Sequence, residues 1–457
     1  MQGKWMYVIL MIPFLAMSHL FFAGTVAAEQ FLVEVDEPLA IEGEVVEEIV
    51  PGKVYVIETE QTKEQLGLNP NIRAVYDDDE VFLPDMPHHL LNETRLPAVD
   101  WGYSYLQLDE MLFGNGKVKV AMLDTGVDVH HPKLASYIKE AIDVTNYNEP
   151  KDTVNHGTKV AGLITAHMPD TIELLSIKIF TARNQSSVSV VVKGIEAAIE
   201  ADADVINMSF GTFQNAPLIE EAIQRALDRN IVIVAAGGNF GGTGLTYPAR
   251  YEGVIAVGSI GLTGERSSFS QKGAGLDFMA PGEKVLTTSI GGGMIQDSGT
   301  SLSAAYVTKM VAAYLSHSQL ESPVYQVLQQ SAEYTEPSLE VGYGVIQMER
   351  LAYELVLPYI TAEQQPVRPI RSKEKSWQIT FSHEPLAAPA NVAHVFIVGT
   401  DKKIVPLHRQ VQGTQMQVIP EKSYEDHIHY QLVILSNLQS TNNHSLHETT
   451  LTPFYVH

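Results

Sequence analysis

The run Val120-Ala121-Met122-Leu123 is the strongest constraint on how this chain folds. Four consecutive apolar residues close the strand-like stretch Lys117–Leu123 and leave no face for water. A strand buried on both faces belongs inside a parallel sheet covered by helices. From there the pattern alternates. Strand-like runs at Ile172–Phe180, Val205–Met208, Ile231–Ala235 and Val254–Val257 are separated by helical patterns at Val188–Ile199 and Leu218–Leu227. More helices are expected behind Ser301, through Val307, Met310, Val311 and Tyr314, then near Pro323–Ala332 and over Met348–Leu355. This alternation predicts an α/β fold: a mostly parallel sheet, helices on both faces, and a site at the carboxyl ends of strands.

The flanks read differently. Residues 1–28 have the layout of a signal peptide: Lys4, an apolar stretch from Trp5 to Phe22, then small residues ending at Ala28. The same stretch is long enough to serve as an uncleaved anchor, but Ser18 and His19 in its middle favour cleavage after Ala28. Residues 29–84 form a small α+β unit with strands at Phe31–Val35, Val54–Ile57 and Ile72–Tyr76 and a short helix at Thr62–Leu66. It closes on Asp77-Asp78-Asp79-Glu80. The α/β domain is expected over 85–358, after an irregular lead-in, and residues 359–372 read as a polar linker with Pro366 and Pro369. Residues 373–457 alternate strands and turns, with strands at Trp377–Phe381, Val395–Val398, Met416–Ile419 and Tyr430–Ile434, the pattern of a small β-sandwich.

Composition excludes several functions. The net charge of −24 argues against nucleic acid and anionic membranes as partners. With no cysteine, disulfides, thiolate catalysis and cysteine-ligated metals are out.

Four short stretches carry candidate chemistry. Asp124-Thr125-Gly126 ends the first strand, where an orienting carboxylate is useful; it is equally a plain strand-end turn, or a single copy of the aspartic-protease motif. His156, in Asn155-His156-Gly157-Thr158, opens a helix and is suited to take and return a proton, although a lone histidine is usually structural. Asn239 follows Ala236-Gly237-Gly238 at a strand end; its amide can donate to an oxyanion, or the residue can simply make a left-handed turn. Ser301, in Gly299-Thr300-Ser301, opens a helix as a nucleophile or as a mere cap.

Together these pieces run in the order Asp, His, Ser, the order of subtilisin. The strings VAMLDTGVD, NHGTKVAGL, NMSFG, AAGGN, FMAPG and DSGTSLSAA resemble those of the subtilisin-like serine peptidases, in family order over about residues 100–355. The resemblance implies a secreted endopeptidase. Ser301 would be its nucleophile, His156 its base and then acid, and Asp124 the orienting carboxylate. Asn239 and the Ser301 N–H would form the oxyanion hole. Ser209-Phe210-Gly211 would pair with an extended peptide substrate, and with Ala236-Gly237-Gly238 would wall the pocket for the P1 side chain. Residues 29–84 resemble a subtilase propeptide, hence a zymogen inhibited by its own N-terminal segment. Residues 373–457 look like bacterial Ig-like domains, which implies cell-surface attachment, substrate docking or stabilisation.

The departures carry expectations too. Leu302, Ala305 and Tyr306 stand where the family's serine helix usually has Met, Pro and His, and Lys159 where it has a second His. Phe240 beside Asn239 is expected to favour apolar P1 residues if it points inward. Lys133 follows His131-Pro132 where the family places a calcium-ligating Asp, and the loop after Ala166 reads as deleted. No cofactor is therefore expected, and at most a weak cation site. Two rival readings are a surface-binding protein on a catalytically dispensable subtilase scaffold and a dimeric aspartic protease.

Overall fold

The computed structural model describes residues 28–36, 44–83, 100–108, 113–317, 322–348, 350–352, 354–355, 368–370, 372–385, 387, 395–399, 404–426, 428–435, 438, 440–442, 446 and 450–456. The signal-peptide reading, the cleavage point and most of the linker lie outside the described residues. The chain divides after Asp77 into two compact units.

The smaller unit is a four-stranded antiparallel sheet with one short helix. Strands β1 (Glu29–Val35), β2 (Glu44–Val50), β3 (Val54–Thr59) and β4 (Ile72–Asp77) lie in the order β2-β3-β1-β4. Helix α1 (Lys63–Leu66) starts on a capping box between Thr62 and Gln65 and drops Leu66 into a core with Phe31, Val33, Ile57 and Ile72. Strand β2 went unread because its register to β3 shifts twice and blurs the two-residue period.

The larger unit opens with β5 (Glu80–Val81), which pairs antiparallel with β9 (Ser186–Ser187). Helix α2 (Trp101–Tyr105) follows, capped by the Asp100 carboxylate, which accepts from Gly102 N at 3.1 Å and Tyr103 N at 3.2 Å. The central sheet holds β6 (Val118–Asp124), β7 (Ile138–Asp143), β8 (Ile172–Lys178), β10 (Val205–Met208), β11 (Val232–Ala236), β12 (Val254–Ile260) and β13 (Phe278–Pro281). Their order is β13-β12-β11-β10-β6-β8-β7, and every neighbouring pair is parallel. The apolar run at 120–123 and the strand 205–208, polar only at Asn207, are fully buried, as parallel strands between helix layers must be.

Helices α4 (Val188–Glu200) and α5 (Pro217–Leu227) pack on each other, as do α3 (Gly157–Thr165) and α6 (Thr300–Leu315). From Thr300 to Tyr314 every residue of α6 is buried; it is apolar almost all round because it runs through the core. Hairpin β14 (Val285–Ser289) and β15 (Gly293–Asp297) leads into it, and α7 (Val324–Ser331) follows it.

The C-terminal region has two facing sheets. One holds β16 (Arg368–Ile370), β18 (Val395–Gly399), β19 (Ile404–Val405), β22 (His429–Ile434) and β23 (Thr450–Val456); the other holds β17 (Trp377–Thr380), β20 (Leu407–Gln412) and β21 (Gln415–Pro420). They share a core of Ile397, Val418, Tyr430, Leu432 and Phe454, with Trp377 packed against it. One expectation is corrected here. Residues 368–370, read as linker, form a strand paired in parallel with β23, because only Pro369 lacks a backbone donor and an edge strand tolerates that.

Candidate active site

Asp124 ends β6 with its carboxylate buried. Its Oδ1 accepts from Thr125 N at 2.7 Å and from His156 Nδ1 at 2.7 Å. The imidazole is thus held through Nδ1, and the nitrogen left for proton transfer is Nε2. Gly157 permits the approach: a Cβ there would lie 2.1 Å from the Gly126 carbonyl oxygen and 3.1 Å from Asp124 Oδ1. Burial disfavours the charged imidazole. The charge and hydrogen bond of Asp124 outweigh burial and the repulsion of Lys159, with help from Asp152, and raise the His156 pKa above the ordinary histidine value of 6.5.

A second buried carboxylate, missed in the sequence, shapes this corner. Asp152 accepts from Thr125 Oγ1 at 2.8 Å, Val154 N at 3.0 Å and Asn155 N at 2.8 Å. It also accepts from Thr158 N at 2.9 Å and Thr158 Oγ1 at 2.7 Å. Thr125 Oγ1 in turn accepts from Gly157 N at 2.8 Å. Asp152 therefore ties the Asp124 turn to the start of α3 on both sides of His156. Lys178 lies below, its Nζ donating to the carbonyls of Thr125 at 2.8 Å and Lys151 at 2.9 Å. Burial lowers its pKa, and the charge of Asp152 is the largest force opposing that.

Ser301 is the second residue of α6, where the helix dipole favours negative charge. Gly299 before it holds φ 150°, a conformation open to glycine. The Ser301 hydroxyl donates to the Ser209 carbonyl at 3.0 Å. Ser209 follows β10, whose Met208 is in register with Leu123 of β6, so Ser209 and Asp124 stand at adjacent strand ends. Helices α3 and α6 pack together and open with His156 and Ser301.

Asn239 follows β11 and is buried; its Oδ1 accepts from Thr300 N at 2.9 Å and Thr300 Oγ1 at 2.8 Å. That orientation turns the amide nitrogen to the other side. Gly238 N donates to Thr300 Oγ1 at 3.2 Å. Thr300, also missed in the sequence, clamps the Gly238–Asn239 loop to the start of α6. Gly237 is fixed by its N–H to Val257 O at 2.8 Å and its carbonyl to Thr246 N at 3.1 Å. Ala236, at the end of β11, is buried in the sheet.

The stretch Ser209-Phe210-Gly211 meets a segment of the same chain. Phe82 N donates to Gly211 O at 3.2 Å, and Gly211 N donates to Phe82 O at 3.1 Å. On the other side Glu80 and Val81 pair with Ser187 and Ser186. Residues 80–82 thus lie as an extended strand held on both edges. Phe210 itself is buried against the ring of Phe180. The Asp78 carboxylate caps α4, accepting from Ser189 N at 2.8 Å and Ser189 Oγ at 2.8 Å.

The departures find partners. Lys159 pairs with Asp297. The buried Tyr306 hydroxyl donates to Asp100 Oδ2, which explains how tyrosine is tolerated there. Phe240 is 50% exposed and turns its ring toward Phe213 and Phe82. It does not point inward, so the expected effect on P1 choice is corrected. Lys133, His167 and Thr165 line one cleft of about 570 Å³. His131 Nε2 donates to Gly293 O at 3.0 Å, and its Nδ1 accepts from Lys133 N at 3.1 Å. Among the described residues no group of three or more His, Cys, Asp or Glu side chains gathers to hold a metal.

A carboxylate–imidazole pair at a strand end and a serine at the mouth of a buried helix, on a parallel α/β sheet, are the parts that a serine peptidase uses. The comparisons give the family. The subtilase family profile matches residues 115–344. A thermostable alkaline protease of Halalkalibacterium halodurans is 32% identical over 367 residues, 72% of this chain and 95% of the relative. Subtilisin E of Bacillus subtilis is 30% identical over 310 residues, 64% of this chain and 78% of the relative. M-protease of Shouchella clausii is 35% identical over 259 residues, 54% and 64% of the two chains. The chain belongs to the subtilase family and is a serine endopeptidase.

Proposed function

We propose that this chain is a secreted endopeptidase, made as a zymogen, that cleaves extended peptides through Asp124, His156 and Ser301. Ser301 Oγ leaves the Ser209 carbonyl and attacks the scissile carbonyl carbon while His156 Nε2 takes its proton. The oxyanion accepts from Asn239 and from the Ser301 N–H. Asp124 stabilises the imidazolium, which then protonates the leaving amine. Water repeats the sequence on the acyl-enzyme and frees Ser301. The observation that carries this reading is the 2.7 Å contact between His156 Nδ1 and Asp124 Oδ1, with Ser301 in the first turn of α6, the helix packed on α3, which follows His156.

The zymogen part rests on residues 78–83. Phe82 pairs with Gly211, where a peptide would bind, and Glu80 and Val81 pair with Ser187 and Ser186, with Val81 and Leu83 buried, so the intact chain occupies part of its own cleft. Main-chain pairing on two edges suits a broad range of sequences. Ser209, Phe210 and Gly211 form one wall of the P1 pocket in this reading, and Ala236, Gly237 and Gly238 the other. Secretion is supported by the signal-like stretch 1–28; among the described residues, no helix is long and apolar enough to cross a membrane. The C-terminal sheets, read as an Ig-like domain, suit attachment at the cell surface.

No strong calcium site is part of this proposal. Lys133 and the shortened connection after Ala166 border the same cleft, which puts a cation where a ligand would stand.

N-terminal sequencing tests the proposal, with wild type and Ser301→Ala secreted from a host lacking extracellular proteases. Wild type should begin between about residues 85 and 100, and the variant should keep residues 29–84. Identical processing of both would overturn self-maturation.

A further inference from the structure

We propose that the substrate cleft selects an aromatic side chain at P3, the third residue before the scissile bond, through a clasp formed by Phe213 and Phe240. This deepens the proteolytic reading and rests on it.

Register identifies the position. Phe82 and Gly211 exchange both main-chain hydrogen bonds, so they form one hydrogen-bonded antiparallel pair. In an antiparallel ladder the next such pair lies two residues on in one strand and two back in the other. A substrate in this register therefore sets the second residue after the Phe82 position opposite Ser209. The Ser209 carbonyl is 3.0 Å from Ser301 Oγ, so that residue presents its carbonyl to the nucleophile and is P1. The residue at the place of Phe82 is then P3.

The side chains agree. Successive residues of a strand face opposite ways. Val81 and Leu83 are buried, whereas Phe82 turns outward, where a P3 side chain would ordinarily meet water. Here it meets two rings. Its centroid is 5.8 Å from Phe213, tilted by 40°, and 5.8 Å from Phe240, edge-on at 87°. Phe213 and Phe240 touch each other at 4.7 Å. Even with Phe82 in place they are 56% and 50% exposed. Two adjoining phenyl rings at the rim of a cleft are an apolar patch with a use. Their placement is specific: Phe240 follows Asn239, and Phe213 lies two residues past Gly211. The chemistry that fits is a flat apolar ring, Phe, Tyr or Trp. A P3 carboxylate would lose solvation against this patch and gain no partner.

The test uses mature enzyme and quenched peptides that differ only at P3: Phe, Ala or Asp. For wild type, kcat/KM for P3-Phe should exceed that for P3-Ala by about tenfold, what one or two such ring pairs supply; P3-Asp should be poorest. Phe213→Ala plus Phe240→Ala should bring the Phe-to-Ala ratio to within about twofold of one, and each single variant should lower it part way. A ratio taken within one enzyme cancels any general loss of activity or folded fraction. A wild-type ratio near one, or a ratio unchanged in the double variant, overturns the aromatic P3 site while leaving the peptidase intact. Cleavage of no peptide in the set refutes the peptidase reading, and this proposal with it.

Discussion

At the scale of single residues, the site is a set of buried carboxylates with different tasks. Asp124 holds His156 through Nδ1 and raises its pKa; Asp152 holds the loops that carry both. Because the His156 pKa is raised above 6.5 and a general base at His156 must start neutral, the proposed mechanism predicts that kcat/KM falls as pH drops through a value above 6.5. A pH–rate profile with its acid limb below that value would contradict this. Asp124→Asn should cost about 10⁴ in kcat, the loss seen when the carboxylate is removed from archetypal serine proteases. Asp152→Asn is expected to act mainly on stability. All five hydrogen bonds to Asp152 come from donors, so an amide NH₂ must face at least one of them. The loss should be on the order of 2–3 kcal/mol in denaturant unfolding. Asp124, His156, Asn239 and Ser301 stand out as candidates in the sequence because each sits in a short string with a backbone reason for its neighbours. Asp152, Thr125, Thr300 and Lys178 do not. A carboxylate satisfied by loop N–H groups leaves no periodicity, and a lysine facing carbonyls looks like any surface lysine.

At the scale of elements, α6 carries Ser301, the proposed nucleophile, at one end and an unusual buried cluster along its length. Lys309 lies within the core, donates to Ala166 O and sits 5.7 Å from the ring centre of Tyr103. Burial pushes its pKa down to about 7, with Asp100 pulling the other way. Between pH 7 and 10.5 the unfolded chain holds a proton that the folded chain lacks. Wild-type stability should therefore fall as pH drops from 10.5 to 7 and level off below. Lys309→Met should be the more stable form at pH 7, by on the order of 2–4 kcal/mol, and the gap should close toward pH 10. Equal stability of the two at both pH values, by urea unfolding, would count against a buried neutral lysine. The helix itself was readable from Val307, Met310, Val311 and Tyr314. The tolerance of Tyr306 was not, because its partner Asp100 lies 206 positions away.

At the scale of the whole molecule, the chain combines a small antiparallel unit, a parallel α/β unit and a pair of C-terminal β-sheets. The parallel sheet was legible because buried strands announce themselves as unbroken apolar runs. Strand β2 and strand β16 were not: the first slips its register, and the second is three residues long with a proline at its centre. The proposed lack of a strong calcium site gives a global expectation. Chelator should lower Tm by less than about 10 °C, since a larger shift means roughly 2–5 kcal/mol of bound-ion stabilisation in a domain of this size. The central claim is that Ser301 is a nucleophile activated by the Asp124–His156 pair. Its most direct test is fluorophosphonate labelling of the processed protein with the adduct mapped by mass spectrometry. The account predicts one adduct, on Ser301, absent from Ser301→Ala. An unlabelled wild type, or equal labelling of that variant, would contradict it.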